Sequence, residues 1–322
     1  MSPVAMVVGP DRPRASPNDP SRAGRGSKHV AILDVRNPRV LDLVDPGVEW
    51  EPLAGGFRFT EGPVWIEEED ALYFSDIPAD TIYRWEAETF QVSVFRRSSR
   101  KSNGMTRDPS GFLLVCEHGA RRVSRIARDG DYEVVAAMFA GRRFNSPNDI
   151  VVDRLGRIWF TDPTYGIDGL EVGYPGEQEQ PLSGVYRLDP GSPPELVADD
   201  LVTPNGLAFS PDQRMLYVAD TVKNLIRRFE VDSDGRLRDT GPFATLNRSF
   251  GRGLPDGLRV TREGYVFLAG PGGVFIIDPA GAILGHLRAP EQVANVEVGM
   301  RRGERFLIMT ASTSIYRVPL RG

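Results

Sequence analysis

NGLAFSPDQRMLYVAD, residues 205–220, begins with a polar residue and a glycine and continues as two apolar runs separated by a polar turn. The turn contains Ser-Pro-Asp, whose residues favour tight reversals, so the segment predicts a β-hairpin. The pattern recurs along the chain in copies that open at Glu61, Asn103, Asn148, Asn205, Asp256 and Asn295. The intervals between them are 42, 45, 57, 51 and 39 residues. Repeats of this length indicate propeller blades, so the sequence predicts an all-β, six-bladed β-propeller with four-stranded blades.

The last copy leaves chain for only three strands, because the sequence ends shortly after the apolar run at residues 315–318. We expect the fourth strand of this blade to come from GVEWEPL, residues 47–53. Docking that N-terminal strand on the last blade would close the ring and cover an exposed sheet edge.

Length and composition fit one large domain, which we expect over residues 39–322. Hydrophobic residues make up 40% of the 322 residues and charged residues 26%, enough for a core and a polar surface. Residues 1–38 begin with a stretch rich in Pro, Arg, Ser and Gly. This composition predicts a disordered leader.

Charge and cysteine content narrow the classes of function. The net charge is −5, with basic and acidic residues interspersed, so nucleic acid is not an expected partner. No window has the roughly 18–20 apolar residues of a membrane span, and the start lacks the apolar run of a secretion signal. We therefore expect a cytoplasmic protein without a membrane partner. Cys116 is the single cysteine, which excludes an intramolecular disulfide and predicts a small buried residue. The oligomeric state stays open.

The opening residues of the six copies are expected to meet at one mouth of the central channel, because the innermost strand of each blade lines that channel. Together they supply two carboxylates and four carboxamides. Such an oxygen-only set suits a hard divalent cation, so we expect Ca²⁺, with Mg²⁺, Mn²⁺ or Zn²⁺ as alternatives. The competing interpretation is that Asn-Gly and Asp-Gly only supply turns that need positive φ.

The second strand of each hairpin returns to the same mouth and brings further polar residues: Asp76, Glu117, His118, Asp162 and Asp220. Some of these are expected to orient the metal ligands. The alternative is that they cap strand ends or form salt bridges. No histidine stands in a Ser-His-Asp pattern and no GxSxG motif is present, so a serine nucleophile is not favoured.

Several motifs together resemble the gluconolactonases, in the superfamily of senescence marker protein, gluconolactonase and luciferin-regenerating enzyme. They are EGPVW (61–65), CEHGARRV (116–123), FNSPNDIVVD (144–153), IWFTDPTYG (158–166), TPNGLAFSPD (203–212) and LPDGLRV (254–260). The resemblance implies that Glu61, Asn148, Asn205 and Asp256 hold the metal. FLAGPGGVFIIDP (267–279) and ANVEVG (294–299) depart from the family pattern and change the expected pocket wall.

A lactone-hydrolysis mechanism follows from this resemblance. A divalent cation can polarise a lactone carbonyl, and Asp256 is expected to act as the base for water or, alternatively, as a nucleophile. The expected substrate is a sugar or related hydroxy-acid lactone. Its expected contacts are Asn103, His118, Asp162, Tyr165 and Asn295.

A loop between the second and third strands of the third blade, residues 165–183, is expected to cover the pocket and select substrate without affecting calcium affinity. Two other functions remain open. One is a metal-dependent phosphotriesterase or arylesterase of the same fold, and the other is a non-catalytic binding propeller.

Overall fold

A computed structural model describes residues 31–321 of the chain. Two strands precede the first blade, β1 (Leu33–Val35) and β2 (Glu51–Gly55). The first blade contains β3 (Thr60–Ile66), β4 (Ala71–Asp76), β5 (Thr81–Glu86) and β6 (Val92–Arg97). The second contains β7 (Ser102–Arg107), β8 (Leu113–Glu117), β9 (Arg122–Ile126) and β10 (Tyr132–Ala136), followed by the short pair β11 (Met138–Phe139) and β12 (Arg142–Arg143).

The later blades repeat this plan. The third contains β13 (Ile150–Val152), β14 (Ile158–Asp162), the short helix α1 (Tyr165–Asp168), β15 (Gly184–Leu188) and β16 (Glu195–Ala198). The fourth contains β17 (Pro204–Phe209), β18 (Met215–Asp220), β19 (Leu225–Val231) and β20 (Leu237–Thr245). The fifth contains β21 (Leu258–Val260), β22 (Val266–Gly270), β23 (Gly273–Ile277) and β24 (Ile283–Arg288). The sixth contains β25 (Val293–Arg301), β26 (Glu304–Ala311) and β27 (Ser314–Leu320), and 3₁₀ turns span Pro38–Asp42, Glu67–Glu69 and Arg248–Phe250.

The six blades form a closed ring, which confirms the predicted all-β propeller. Each blade is an antiparallel sheet in which chain neighbours pair. The first strand of each blade contacts the first strand of the next, in the order β3, β7, β13, β17, β21, β25 and back to β3. These first strands therefore surround the central channel, as the repeat predicted.

The N-terminal strand closes the ring on the sixth blade. β2 pairs antiparallel with β27, with Glu51 opposite Arg317, and the sheet order is β2-β27-β26-β25. The expected source, residues 47–53, overlaps this strand and lies slightly upstream of it. The N-terminal strand thus covers the outer edge of β27, which would otherwise be unpaired.

The domain starts earlier than expected, which corrects the boundary at residue 38. β1 pairs with β24 as a fifth strand of the fifth blade, with Leu33 opposite Leu287. Val40 in the following 3₁₀ turn is fully buried, and Trp50 donates from Nε1 to the Arg288 carbonyl at 2.9 Å. Residues 31–38 therefore belong to the propeller. The rest of the expected leader, residues 1–30, lies outside the described residues.

Apolar packing between blades holds the ring together. Six clusters of buried apolar side chains lie one at each blade-to-blade interface. Between the second and third blades, for example, Cys116 and Phe144 pack with Phe160 and Tyr186. Cys116 is fully buried with a free thiol, and burial raises its pKa, so it is the core residue that was expected. No helix within residues 31–321 is long and apolar enough to cross a membrane.

Candidate active site

The opening residues lie where the innermost strands leave regular pairing. The register between first and second strands shifts after Glu61 in the first blade, after Ser102 in the second and after Pro204 in the fourth. The shifts bracket Glu61-Gly62, Asn103-Gly104 and Asn205-Gly206. A bulge of this kind interrupts the alternation of side chains along the strand and changes the direction in which a side chain points. The repeated Asn-Gly pattern therefore marks where each inner strand turns a polar side chain to the channel mouth.

The glycines that follow the opening residues are required by close packing. A Cβ on Gly62 would lie 2.1 Å from the Asn103 carbonyl oxygen, one on Gly104 2.4 Å from that of Asn148, and one on Gly206 2.4 Å from that of Asp256. Gly62 alone of these three has a positive φ, 53°. The interpretation that these pairs only supply positive-φ turns is therefore wrong for Gly104 and Gly206.

Backbone hydrogen bonds join neighbouring inner strands at the same level. Gly104 N donates to the Asn148 carbonyl at 2.8 Å, Gly206 N to that of Asp256 at 3.2 Å, and Gly257 N to that of Ala294 at 2.9 Å. This last bond gives Ala294 the opening position of the sixth blade. Asn295 then occupies the position that Asp149 has in the third copy and glycine has in the other four, so its expected placement is corrected by one residue.

The two carboxylates among the opening residues repel each other. Burial raises the pKa of Glu61 to about 7, and nearby Asp149 adds to the shift, although Glu61 accepts from Gly62 N at 2.8 Å and Asn295 Nδ2 at 3.1 Å. Asp256 keeps part of its surface exposed at the mouth. Enclosure of the carboxyl by protein raises its pKa well above the usual range, and the negative charges of Glu61 and Asp149 raise it further. Each group would be stabilised by an added positive charge.

An ion cluster that the sequence did not predict lies deeper in the channel. Arg259 donates from Nε to Glu297 Oε2 at 3.1 Å, and its Nη1 lies 3.8 Å from Asp149 Oδ2. Asp149 Oδ2 is buried and has no hydrogen-bond partner within the described chain. One guanidinium thus faces Asp149, Glu297 and, at longer range, Glu61. The one available signal was Asp149 itself, a charged residue where four other copies have glycine.

His118 connects two of the carboxamides. The ring is buried, and burial lowers its pKa to about 4, so it is neutral near pH 7. Asn103 Nδ2 lies 3.0 Å from His118 Nε2, and Asn148 Nδ2 lies 3.5 Å from the same atom. His118 Nδ1 lies 3.0 Å from the carbonyl oxygen of Val172 in the third-blade loop. The structure therefore brings together His118, Asn103 and Asn148, as predicted.

Tyr165 reaches the mouth from the start of α1. Its hydroxyl is buried and makes no hydrogen bond of standard geometry within residues 31–321. The hydroxyl lies close to Thr221 and Asn205. Burial raises its pKa, and the negative charge of Asp256 adds to the increase. An unpartnered phenol beside Asn205 and Asp256 is positioned to donate to a bound ligand.

The remaining acidic residues of the second strands are structural anchors. Asp162 accepts from Asn145 N at 2.8 Å and Ser146 N at 2.7 Å. Asp76 and Asp220 accept in the same way from backbone N–H groups that precede the opening residue of their own blades. Glu117 pairs with Arg122 and with the Tyr132 hydroxyl. These contacts do not favour the expected substrate role of Asp162, because both its oxygens hold the loop ahead of Asn148.

The donor set is poor in carboxylates and rich in carboxamides. Within residues 31–321, no three His, Cys, Asp or Glu side chains are grouped in a way that could hold a metal ion. The expected ligands Glu61, Asn148, Asn205 and Asp256 include only two such residues. The channel mouth therefore qualifies as a cation site only if the amide oxygens of Asn148 and Asn205 also act as ligands.

Comparison with known proteins gives the family. Residues 59–312 match the model of the SMP-30/Gluconolactonase/LRE-like region. A gluconolactonase from Zymomonas mobilis is 33% identical over 308 residues, covering 88% of this chain and 84% of the relative. A crystallised gluconolactonase from Xanthomonas campestris is 34% identical, with a TM-score of 0.83 over 89% of this chain and 94% of that one. A calcium-binding regucalcin from Agrobacterium tumefaciens, 16% identical with a TM-score of 0.69 over 85% and 95% of the two chains, shares the fold. The chain belongs to the SMP-30/gluconolactonase/LRE-like family.

Proposed function

We propose that this protein is a divalent-metal-dependent lactonase that opens the ring of a sugar or related hydroxy-acid lactone in the cytoplasm. The observation that supports the proposal is that Glu61 and Asn205 both act on the Asp256 carboxyl. Backbone hydrogen bonds from Gly104 N to the Asn148 carbonyl and from Gly206 N to the Asp256 carbonyl hold neighbouring opening residues at one level of the channel. The gluconolactonases from Zymomonas mobilis and Xanthomonas campestris support the substrate class.

The residues at the mouth fit a hard divalent cation. All four proposed ligands, Glu61, Asn148, Asn205 and Asp256, offer oxygen, and the two carboxylates are destabilised by burial and mutual repulsion. The deeper ion cluster adds more carboxylates than cations. We propose Ca²⁺ first, with Mg²⁺, Mn²⁺ or Zn²⁺ as alternatives. When bound, the cation would polarise the lactone carbonyl and stabilise negative charge on its oxygen.

Asp256 is the proposed general base. Its carboxylate takes a proton from water as the water oxygen forms a bond to the carbonyl carbon. The ring C–O bond then breaks, and the proton returns from Asp256 to the departing ring oxygen. One lactone and one water give one hydroxy acid, so no further reactant is needed.

Tyr165 and Asn103 are the proposed substrate contacts. The Tyr165 hydroxyl lies close to Thr221 and Asn205 but makes no hydrogen bond of standard geometry with them, so it can donate to a substrate oxygen. Asn103 is held by His118 of the same blade. Asn295, deeper in the channel, donates to Glu61 and is proposed to support that ligand rather than the substrate.

The test is a substrate panel with calcium present. Ring opening of five- and six-membered lactones is followed by pH-stat, and an aryl ester and a phosphotriester are assayed beside them. We expect turnover of lactones, at rates that exceed those of the other two classes. Faster turnover of the phosphotriester would replace the proposal with a phosphotriesterase, and no turnover of any class would favour a binding propeller.

A further inference from the structure

We infer that His118 is a positioning residue that couples the third-blade loop to the carboxamides of Asn103 and Asn148. The Val172 carbonyl accepts a hydrogen bond from His118 Nδ1, which therefore carries the ring proton. The lone pair on Nε2 then accepts from the NH₂ group of each carboxamide, so each carboxamide oxygen points away from the ring. The inference rests on the proposed function, because its consequence is the presentation of amide oxygens to a cation.

The two ring contacts allow one arrangement of protons. The Val172 carbonyl only accepts, so the proton of the hydrogen bond must be on Nδ1. An amide NH₂ group only donates, so Nε2 must carry a lone pair to accept from Asn103 at 3.0 Å and, more weakly, from Asn148 at 3.5 Å. With their NH₂ groups turned to the ring, the carboxamides direct Oδ1 away from His118.

His118 directly follows Glu117, which pairs with Ser102 in the place where other blades have a structural aspartate. Asp76, Asp162 and Asp220 occupy this place in the first, third and fourth blades and accept from the backbone N–H groups ahead of the opening residue. In the second blade, Lys101 N instead donates to Asp80 Oδ1 at 2.7 Å. Asp80 has taken over the anchoring contact, and Glu117 pairs with Arg122 instead. His118 N donates to the Lys101 carbonyl, as Thr221 N does to that of Thr203 in the fourth blade, and the His118 ring contacts the carboxamides.

The loop packs closely against the base of the His118 side chain. A Cβ on Gly166 would lie 2.7 Å from His118 Cβ and 2.8 Å from its Cγ. Gly166 N donates to Ser146 Oγ at 2.9 Å, and Tyr174 N donates to the Gly166 carbonyl at 2.9 Å. A displacement of the loop therefore moves the Val172 carbonyl and releases the ring, which couples the loop to the metal ligands.

The test measures calcium affinity of metal-free protein by calorimetry in three variants. His118→Leu removes both ring contacts and should weaken calcium binding by roughly 10- to 100-fold, the range for residues that orient a ligand. His118→Gln keeps an oxygen that can accept from Asn103 and should retain most of the affinity. His286→Leu is the matched control, since His286 is equally buried but bonds Pro271 in the fifth blade, and it should bind calcium like the wild type.

Wild-type affinity in a folded His118→Leu protein would overturn the inference, as would equal losses in the Leu and Gln variants. Ring ¹⁵N spectra of the wild type provide a measurement that does not depend on a variant folding. They should show His118 protonated at Nδ1 only, and a proton on Nε2 would overturn the inference. A wild type that binds no calcium would overturn the proposed metal dependence itself and, with it, this inference.

Discussion

Gly206→Ala tests whether close packing of inner strands sets the ligand positions. The added Cβ would lie 2.4 Å from the Asp256 carbonyl oxygen and 2.6 Å from Gly257 Cα, whereas ordinary contacts begin at 3.4 Å. The obstructing atoms are backbone, so the fifth blade's inner strand must move by about 1 Å, an overpacking that costs ~1–3 kcal/mol of stability. The shift also breaks the hydrogen bond from Gly206 N.

The displaced residue is the proposed base, so activity should fall together with stability. A misplacement of about 1 Å costs on the order of 100-fold in rate. The assays are lactone ring opening by pH-stat, calcium affinity by calorimetry and unfolding by denaturant. Gly47→Ala is the control, because its Cβ would meet only Asp45 Oδ1 at 3.4 Å. If Gly206→Ala matched Gly47→Ala in calcium affinity and in kcat/KM, the packing explanation of the Asn-Gly repeat would be refuted.

Four further predictions concern the mouth. Asp256→Asn should lower kcat by roughly 10²- to 10⁴-fold because the base is lost, with circular dichroism unchanged; retained turnover would contradict its role. Glu61→Gln removes one of two ligand charges and should weaken calcium binding in calorimetry, where equal affinity would count against the site. The pKa of Glu61 is raised to about 7 in the folded chain, so the metal-free protein should lose stability as pH rises from about 4.5 to 7. Calcium should reduce that loss in thermal melts. If stability fell equally with pH in the presence and absence of calcium, Glu61 would not be a calcium ligand. Replacing Gly169–Glu179 with a short Gly-Ser turn should change relative rates across a lactone panel; unaltered rates would exclude a role in substrate selection. Because Val172 is removed with the loop, the replacement should also weaken calcium binding, contrary to the expectation from the sequence.

The ring was predictable because each blade repeats one local pattern. Polar-Gly openings, apolar runs and turn residues recur at blade spacing, and each pattern depends on neighbours in the chain. β1 escaped prediction because Leu33–Val35 is too short to show a periodic signal and is stabilised by pairing with β24, which is distant in sequence.

The sequence predicted which residues line the site better than it predicted their exact positions and contacts. The spacing identified Glu61 and Asp256, but the offset that puts Ala294 in the sixth opening position depends on a bulge in the register between β25 and β26. The contact between Arg259 and Asp149 joins different blades, so no local pattern indicates it. The reason for glycine at 206 was likewise a contact with the next blade.

The most direct test of the account is calcium-dependent recovery of lactone hydrolysis. Chelator-treated protein is assayed by pH-stat on a six-membered sugar lactone while calcium is added, and calcium binding is measured on the same sample. The account predicts that activity is lost with the metal and returns in proportion to occupancy of a single site, and that Asp256→Asn recovers at most about 1% of the wild-type activity. Full activity of the metal-free protein would contradict it.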